Sequence, residues 1–430
     1  MPKLSLKGKL GRIAAAAAML GIGATSFLVQ APAAHADPQQ LTALIGVGSD
    51  TIQDVTNGLA GFSNNKNYTP VQAPDGTQII SFDALTPGNA AQKCMVVKVN
   101  AGAQYRSNGS TEGRTALSRA IDGGLYGPAA NAGCANQSVS GQIDFARSSS
   151  GPSAGDTGTA LTYIPFSRDG IDVAYVTAGG SATKASFTRA ELTAIFTATT
   201  IPVVIGGVNI YPCGIQNGSG TFKFWNTVTT ATTLQEAAAT AACNAATSTS
   251  TGDGRIEENN GTTLQAKANA LATSTSGPVE VIAGFSGGSY IAQSNLVAPQ
   301  TLPTTGNLVN LGTISDDGTG TNIGLPYTGT APNLVPSTGF YASTVFGRNL
   351  FYVVDTSRLR ANGSVALKNI FTATAGDNTT TNLVKGMPNN FTPVICQTAA
   401  QNTVNKFGFL SVSNCGSVTA TTGSLLAGNQ

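Results

Sequence analysis

One histidine, His35, is all that this 430-residue chain contains, and its surroundings remove even that one. Lys3, Lys7, Lys9 and Arg12 form a basic n-region, Ile13 to Val29 an apolar run, and Ala34-His35-Ala36 a small-x-small cleavage pattern before Asp37. Residues 1–36 therefore read as a secretory signal cleaved after Ala36, and the secreted, extracellular protein is left without histidine. That excludes Ser-His-Asp and Cys-His catalysis and any histidine-ligated metal. No cysteine lies near the cleavage point, so no lipoprotein attachment is expected. No later segment stays apolar for the roughly 18 residues that a membrane span needs.

Charge is also scarce, at 10% of residues against about 25% in ordinary soluble proteins. Without the four signal bases, 19 of the 23 Lys and Arg remain against 21 Asp and Glu. No basic face points to nucleic acid. The cysteines Cys94, Cys134, Cys213, Cys243, Cys396 and Cys415 all lie after the signal, and an even count in an exported chain points to disulfides. Pairing neighbours gives Cys94–Cys134, Cys213–Cys243 and Cys396–Cys415. Their wide spacing suits no metal site, and no metal or cofactor is expected.

Gly, Ser, Thr, Ala and Asn fill the space. Apolar runs at Cys94–Val99, Gly141–Ala146, Tyr163–Phe166, Gly170–Val176, Val279–Phe285 and Leu350–Asp355 read as strands. Helices are expected from Ser49, over Thr111–Ile121, over Thr188–Phe196 with Thr188 and Glu191 as a capping box, and over Ser364–Phe371. Strands alternating with helices give an α/β class with mostly parallel sheets. Thr247–Gly254 and Thr301–Ser337 lack periodicity and read as loops. The length suggests more than one lobe.

Three strand-to-helix junctions share one composition: Gly48-Ser49-Asp50-Thr51, Ser148-Ser149-Ser150-Gly151 and Gly218-Ser219-Gly220-Thr221. Uncovered backbone N–H groups and hydroxyls at helix N-termini make an anion cradle, and they equally make ordinary helix caps. Arg106 to Arg114 is a further glycine-rich turn, either a wall of the same cleft or a capped helix start. Glu257-Glu258 invites a paired-carboxylate reading, but adjacent side chains diverge, and a solvated turn is expected. Phe222 and Trp225, three apart on one helix face, read as core.

The order of GVGSDTIQD, IDFARSSSGPS, FTRAELTAIF and NGSGTFKFW, followed by LFYVVDTSRL and GFLSVS, resembles the type II periplasmic-binding-protein family across most of residues 41–412. The likeness is to its phosphate-binding members, and within the superfamily to secreted actinobacterial proteins carrying DFARSS and SGSGT-x-x-FW segments. The resemblance implies a two-lobed Venus-flytrap fold joined by crossing strands, with residues 37–165 and 335–430 in one lobe and 166–334 in the other. It implies capture of a small anion such as phosphate, no enzymatic activity, and an ABC-type permease as partner. Gly48, Ser49, Asp50, Thr51, Arg147, Ser148, Ser149, Ser219, Gly220 and Thr221 would form the ligand site. The chain departs from the phosphate pattern at Ile215 and Asn217, where that pattern has Arg and Asp. Asp50 or Asp144 would then supply the acceptor, and Arg147, Arg106 or Lys223 the positive charge. A secreted structural or adhesive protein that keeps the fold without a competent site is the alternative.

Overall fold

A computed structural model describes residues 43–84, 94–127, 134, 136–180, 183–231, 255–360, 362–373, 391–419 and 421–426. Residues 1–36, read above as a signal, lie outside these residues, as do Cys243 and Thr247–Gly254. Among the described residues no helix is long and apolar enough to cross a membrane.

The backbone of the molecule is one mixed sheet. Its main strands are β1 (Ala43–Gly48), β2 (Gln78–Ser81), β3 (Phe145–Ser148), β4 (Leu161–Ala178), β5 (Val203–Ile205), β6 (Val208–Pro212), β7 (Val279–Ser286) and β8 (Gly347–Asp355). They lie in the order β5-β6-β7-β4-β8-β3-β1-β2. The pairs β1/β2, β1/β3 and β6/β7 are parallel, whereas β4/β7, β4/β8, β8/β3 and β5/β6 are antiparallel. The expectation of mostly parallel sheets is thus corrected to a mixed sheet. The two long central strands β4 and β8 run against each other and impose antiparallel pairing on their neighbours.

β4 joins two halves. Its first part, Leu161–Gly170, pairs with β8, and its second, Ile171–Ala178, pairs with β7. The expected break between two shorter strands is absent, because Ser167 and Asp169 are buried within one continuous strand.

In each half, alternate residues feed opposite cores, as a period of two requires. Leu44, Phe145 and Tyr352 face one core, with Val55 and Leu59 of α1 (Gln53–Leu59) and Val404 of a C-terminal helix. Ile45, Ala146 and Val353 face the other, with Leu117 of α2 (Ser110–Asp122). In the second half, Val173 and Ile282 meet Leu192, Ile195 and Phe196 of α3 (Arg189–Phe196) and Trp225 of α4 (Gly220–Thr229). Ala174 and Ala283 meet Leu264, Ala268 and Leu271 of α5 (Gly261–Thr275). Trp225 is buried as expected and lies edge-on to Phe196, with ring centroids 5.4 Å apart. Its indole fits only because Gly284 beneath it has no side chain: a Cβ there would lie 2.6 Å from the ring.

Helix starts follow the sequence closely at α3. Thr188 Oγ1 accepts from Glu191 N at 3.1 Å, and Thr188 N donates to Glu191 Oε2 at 2.9 Å, which is the expected capping box. The first helix differs. It begins at Gln53 with Ile52 as its uncapped N-cap, so Ser49 does not cap it. Disulfides join Cys94 to Cys134 and Cys396 to Cys415, as expected.

Candidate functional site

The three small-residue turns meet where the two halves of the sheet join. β1 ends in Gly48, whose φ of 116° suits glycine. A side chain there would also strike the Arg147 carbonyl at 2.7 Å and the Gly113 backbone of α2 at 3.0 Å. The chain then places Asp50 and Thr51 inward, 3% exposed each. The third turn opens α4, and Ser219 Oγ accepts from Thr221 N at 2.9 Å, the cap that its composition suggests. The same hydroxyl donates to Glu258 Oε1. Capping and cradle are therefore not alternatives at Ser219, since one hydroxyl accepts from the helix and donates outward.

Glu258 Oε1 is the centre of this arrangement. It accepts from Thr51 Oγ1 and Thr221 Oγ1, both at 2.7 Å, as well as from Ser219. Thr51 comes from the first half and Thr221 from the second, and their hydroxyls are 3.2 Å apart. The second turn joins through Ser149, whose N–H donates to Ser110 Oγ at 2.9 Å. Gly220 lets α4 approach: a Cβ at this position would lie 2.5 Å from Ser149 Oγ and 2.7 Å from Ser110 Oγ. All three turns are thus brought together, and a carboxylate of the protein sits among their hydroxyls.

The expectation of a solvated turn at Glu257-Glu258 is overturned: the two residues are 1% and 0% exposed. Ile256 bridges to Ile215, and the chain turns at once, Asn260 N donating to Glu257 O at 3.0 Å. That tight reversal lets both side chains reach Asp50, where one oxygen of each carboxyl lies within 4.8 Å of the others. Asn108 Nδ2, on the glycine-rich turn before α2, donates to Glu257 Oε1 at 3.0 Å, so that turn borders the carboxyl cluster. Burial, then the charges of Glu258 and Glu257, pushes the Asp50 carboxyl well above the usual carboxylate range. Burial and then the Glu258 charge push Glu257 up to about 7. A sequence signal existed here: in a chain so poor in charge, two adjacent acids beside the polar Asn259-Asn260 helix start invite a partner.

Other acids and bases named from the sequence are placed elsewhere or otherwise engaged. Arg147 is fully buried and donates to the carbonyls of Ser49 (3.0 Å) and Gly48 (2.9 Å) and to Ser81 Oγ (2.6 Å). It secures the end of β1, and burial lowers its pKa to about 10. Ser148 Oγ donates to the Ser150 carbonyl at 2.6 Å. Asp144 pairs with Arg358 and Lys98, and Arg106 donates to the Asp83 carbonyl. Ile215 is buried core. The cation that reaches the third turn is Arg348, at the start of β8, which sequence reasoning missed. Its Nη2 donates to Thr221 Oγ1 at 2.7 Å and pairs with the buried Asp169 at 3.1 Å. Asp169 is held in turn by Ser286 Oγ at 3.0 Å and Gly288 N at 3.1 Å.

Outside this buried layer lies a pocket of about 350 Å³, lined among others by Ser149, Ser150, Gly151, Lys223, Arg348 and Asn349. Its lining holds two cations and no carboxylate. Arg114 adds a third positive charge nearby, donating to the Gly151 carbonyl at 3.0 Å. Partial burial and then the Arg114 charge lower the Lys223 pKa. Arg348 Nε and Nη1 are buried without a hydrogen-bond partner.

No protein-family model matches this chain, and neither does any curated protein. Among solved structures it is similar to a putative phosphate ABC transporter substrate-binding protein with bound phosphate from Clostridium perfringens. That match has 11% identity and a TM-score of 0.42 and covers 86% of this chain and 100% of the other. An ABC-type phosphate transport receptor from Vibrio cholerae matches at 11% identity and a TM-score of 0.41, with coverage of 86% and 100%. A phosphate-binding protein from Stenotrophomonas maltophilia matches at 13% identity and a TM-score of 0.40, covering 90% of this chain and 100% of the other.

Proposed function

We propose that this protein is a secreted solute-binding protein that captures a small oxyanion, phosphate, in the pocket beside Arg348, without chemistry. One observation carries the reading: a pocket of ligand size, about 350 Å³, whose lining holds Lys223, Arg348 and serine hydroxyls and no carboxylate. The planar guanidinium fork of Arg348 and the Lys223 ammonium are the side-chain chemistry that recognises an oxyanion. In this reading Ser149 and Ser150 supply neutral donors and Lys223 a second charge. The other turn residues form the layer beneath, linked to the pocket through the Arg348–Thr221 hydrogen bond. The two lobes would comprise residues 37–165 with 335–430 and residues 166–334. An ABC-type permease would be the downstream partner.

A second reading is favoured by a different observation. Glu258 fills the hydroxyl cradle itself, as expected of a structural protein that keeps the fold without a ligand site. Hydrolysis by the carboxylates is not favoured, because Asp50, Glu257 and Glu258 are at most 3% exposed and offer no substrate access.

Thermal unfolding and calorimetric titration of the secreted protein with phosphate, sulfate and a panel of sugars separate the readings. Phosphate at 100 times its dissociation constant adds about 2.7 kcal/mol of stability. The expected result is a rise with phosphate that Lys223→Ala weakens by about tenfold in affinity, as for loss of one charged contact worth about 1.4 kcal/mol. No response to any anion would overturn the binding reading and leave the structural one.

A further inference from the structure

Three carboxyl groups share one buried space at the junction, and the oxyanion reading does not use them. We propose that Asp50, Glu257 and Glu258 bind a divalent cation of the calcium class. Three observations support the assignment, and none depends on the anion pocket.

The first is spacing. One oxygen from each residue lies within 4.8 Å of the other two. Two oxygens that share one calcium ion at about 2.3–2.6 Å each can be at most about 5 Å apart.

The second is the state of the oxygens. Asp50, 3% exposed, receives no N–H or hydroxyl donor on either Oδ1 or Oδ2 and meets only the carboxyls of Glu257 and Glu258, whose Oε2 atoms are also buried without such a donor. The hydroxyls of Thr51, Ser219 and Thr221 engage only Oε1 of Glu258, and Asn108 engages only Oε1 of Glu257. Each glutamate is thus oriented through one oxygen and leaves the other uncommitted, as outer-shell donors do around metal ligands. A buried carboxylate without donors or a counter-charge is strongly disfavoured. Among the described residues no ion pair neutralises these three, and the adjacent Arg348 is paired with Asp169.

The third is donor chemistry. The donors are all oxygen, which selects a hard cation over zinc or copper. Their burial requires a nearly dehydrated ion, which favours calcium over magnesium, since magnesium retains its waters.

The test begins with the purified protein unfolded in denaturant with EDTA, desalted and refolded. Thermal melts in millimolar CaCl2, MgCl2 or MnCl2 are compared with the metal-free melt, and bound calcium is counted after equilibrium dialysis. The expected result is one calcium per chain and a melting temperature raised by several degrees, more by calcium than by magnesium. Glu257→Gln and Asp50→Asn should weaken calcium binding at least tenfold while still melting cooperatively without metal. Lys223→Ala should bind calcium as the parent does, so failure of the anion site and failure of this site are distinguishable. If a variant or the refolded parent does not fold, the count is made on the never-unfolded protein dialysed against calcium. Less than a tenth of an equivalent bound there, or a calcium response that both neutral variants retain, would overturn the assignment.

Discussion

At the scale of single residues, Glu280 shows how burial couples this protein to pH. It sits in β7 with no exposure, its Oε2 accepting from Lys184 N at 2.7 Å and Thr177 Oγ1 at 3.3 Å, while Oε1 has no partner. Burial pushes its pKa up to about 7 despite those hydrogen bonds and the Lys184 charge. An acid whose folded pKa is raised binds its proton more tightly when folded than when unfolded. Its contribution is therefore complete below the unfolded value of about 4.5 and is lost as pH rises toward 7. Asp54, raised to about 8 by burial and the Asp83 charge, acts in the same direction. Stability should fall between pH 5 and pH 7.5. Glu280→Gln, which can still accept from Lys184, should remove part of that fall and add roughly 1–3 kcal/mol at pH 8. Urea unfolding of parent and variant at both pH values checks this, and equal slopes would show that Glu280 does not titrate there.

At the scale of elements, the capping box of α3 is the most local device in the fold. Thr188→Ala removes the acceptor for Glu191 N and should cost about 1 kcal/mol, read as a lower urea midpoint with an unchanged m-value. That helix was legible because every part of it lies within four residues. The strands Val279–Ser286 and Gly347–Asp355 were legible too, as apolar runs bounded by turn residues. Misreadings arose where polar residues have distant partners. Ser167 and Asp169 looked like a break between strands, yet Asp169 is satisfied by Ser286 and Arg348, more than 100 positions away. Ser49 looked like a cap, but the first turn is drawn into the junction and leaves α1 uncapped. Glu257 and Glu258 looked solvated because Asp50 and Thr51, which they meet, lie over 200 positions earlier. The convergence of the turns could be suspected from composition, whereas the adjacent acids signalled a partner without saying that it would be the turns' own hydroxyls.

At the scale of the whole molecule, stability rests on two sandwiched half-sheets sharing β4 and on disulfides, two of which close loops of the first half. The Cys94–Cys134 and Cys396–Cys415 bridges span 40 and 19 positions. Loop-closure entropy gives about 4 and about 3 kcal/mol for loops of these lengths. Paired Cys→Ser replacements should therefore lower stability in that order, as measured by denaturant midpoints at fixed pH. Both bridges lie away from the second half, where the sole tryptophan, Trp225, is packed within two turns of Ser219 and Thr221. That placement makes the protein its own optical probe. The indole is enclosed against Phe196 and its ring N–H has no partner, so its emission should be blue-shifted in the folded state. Fluorescence excited at the red edge will then follow this half alone, while far-ultraviolet dichroism follows both, and any lag between the two signals would record the halves coming apart.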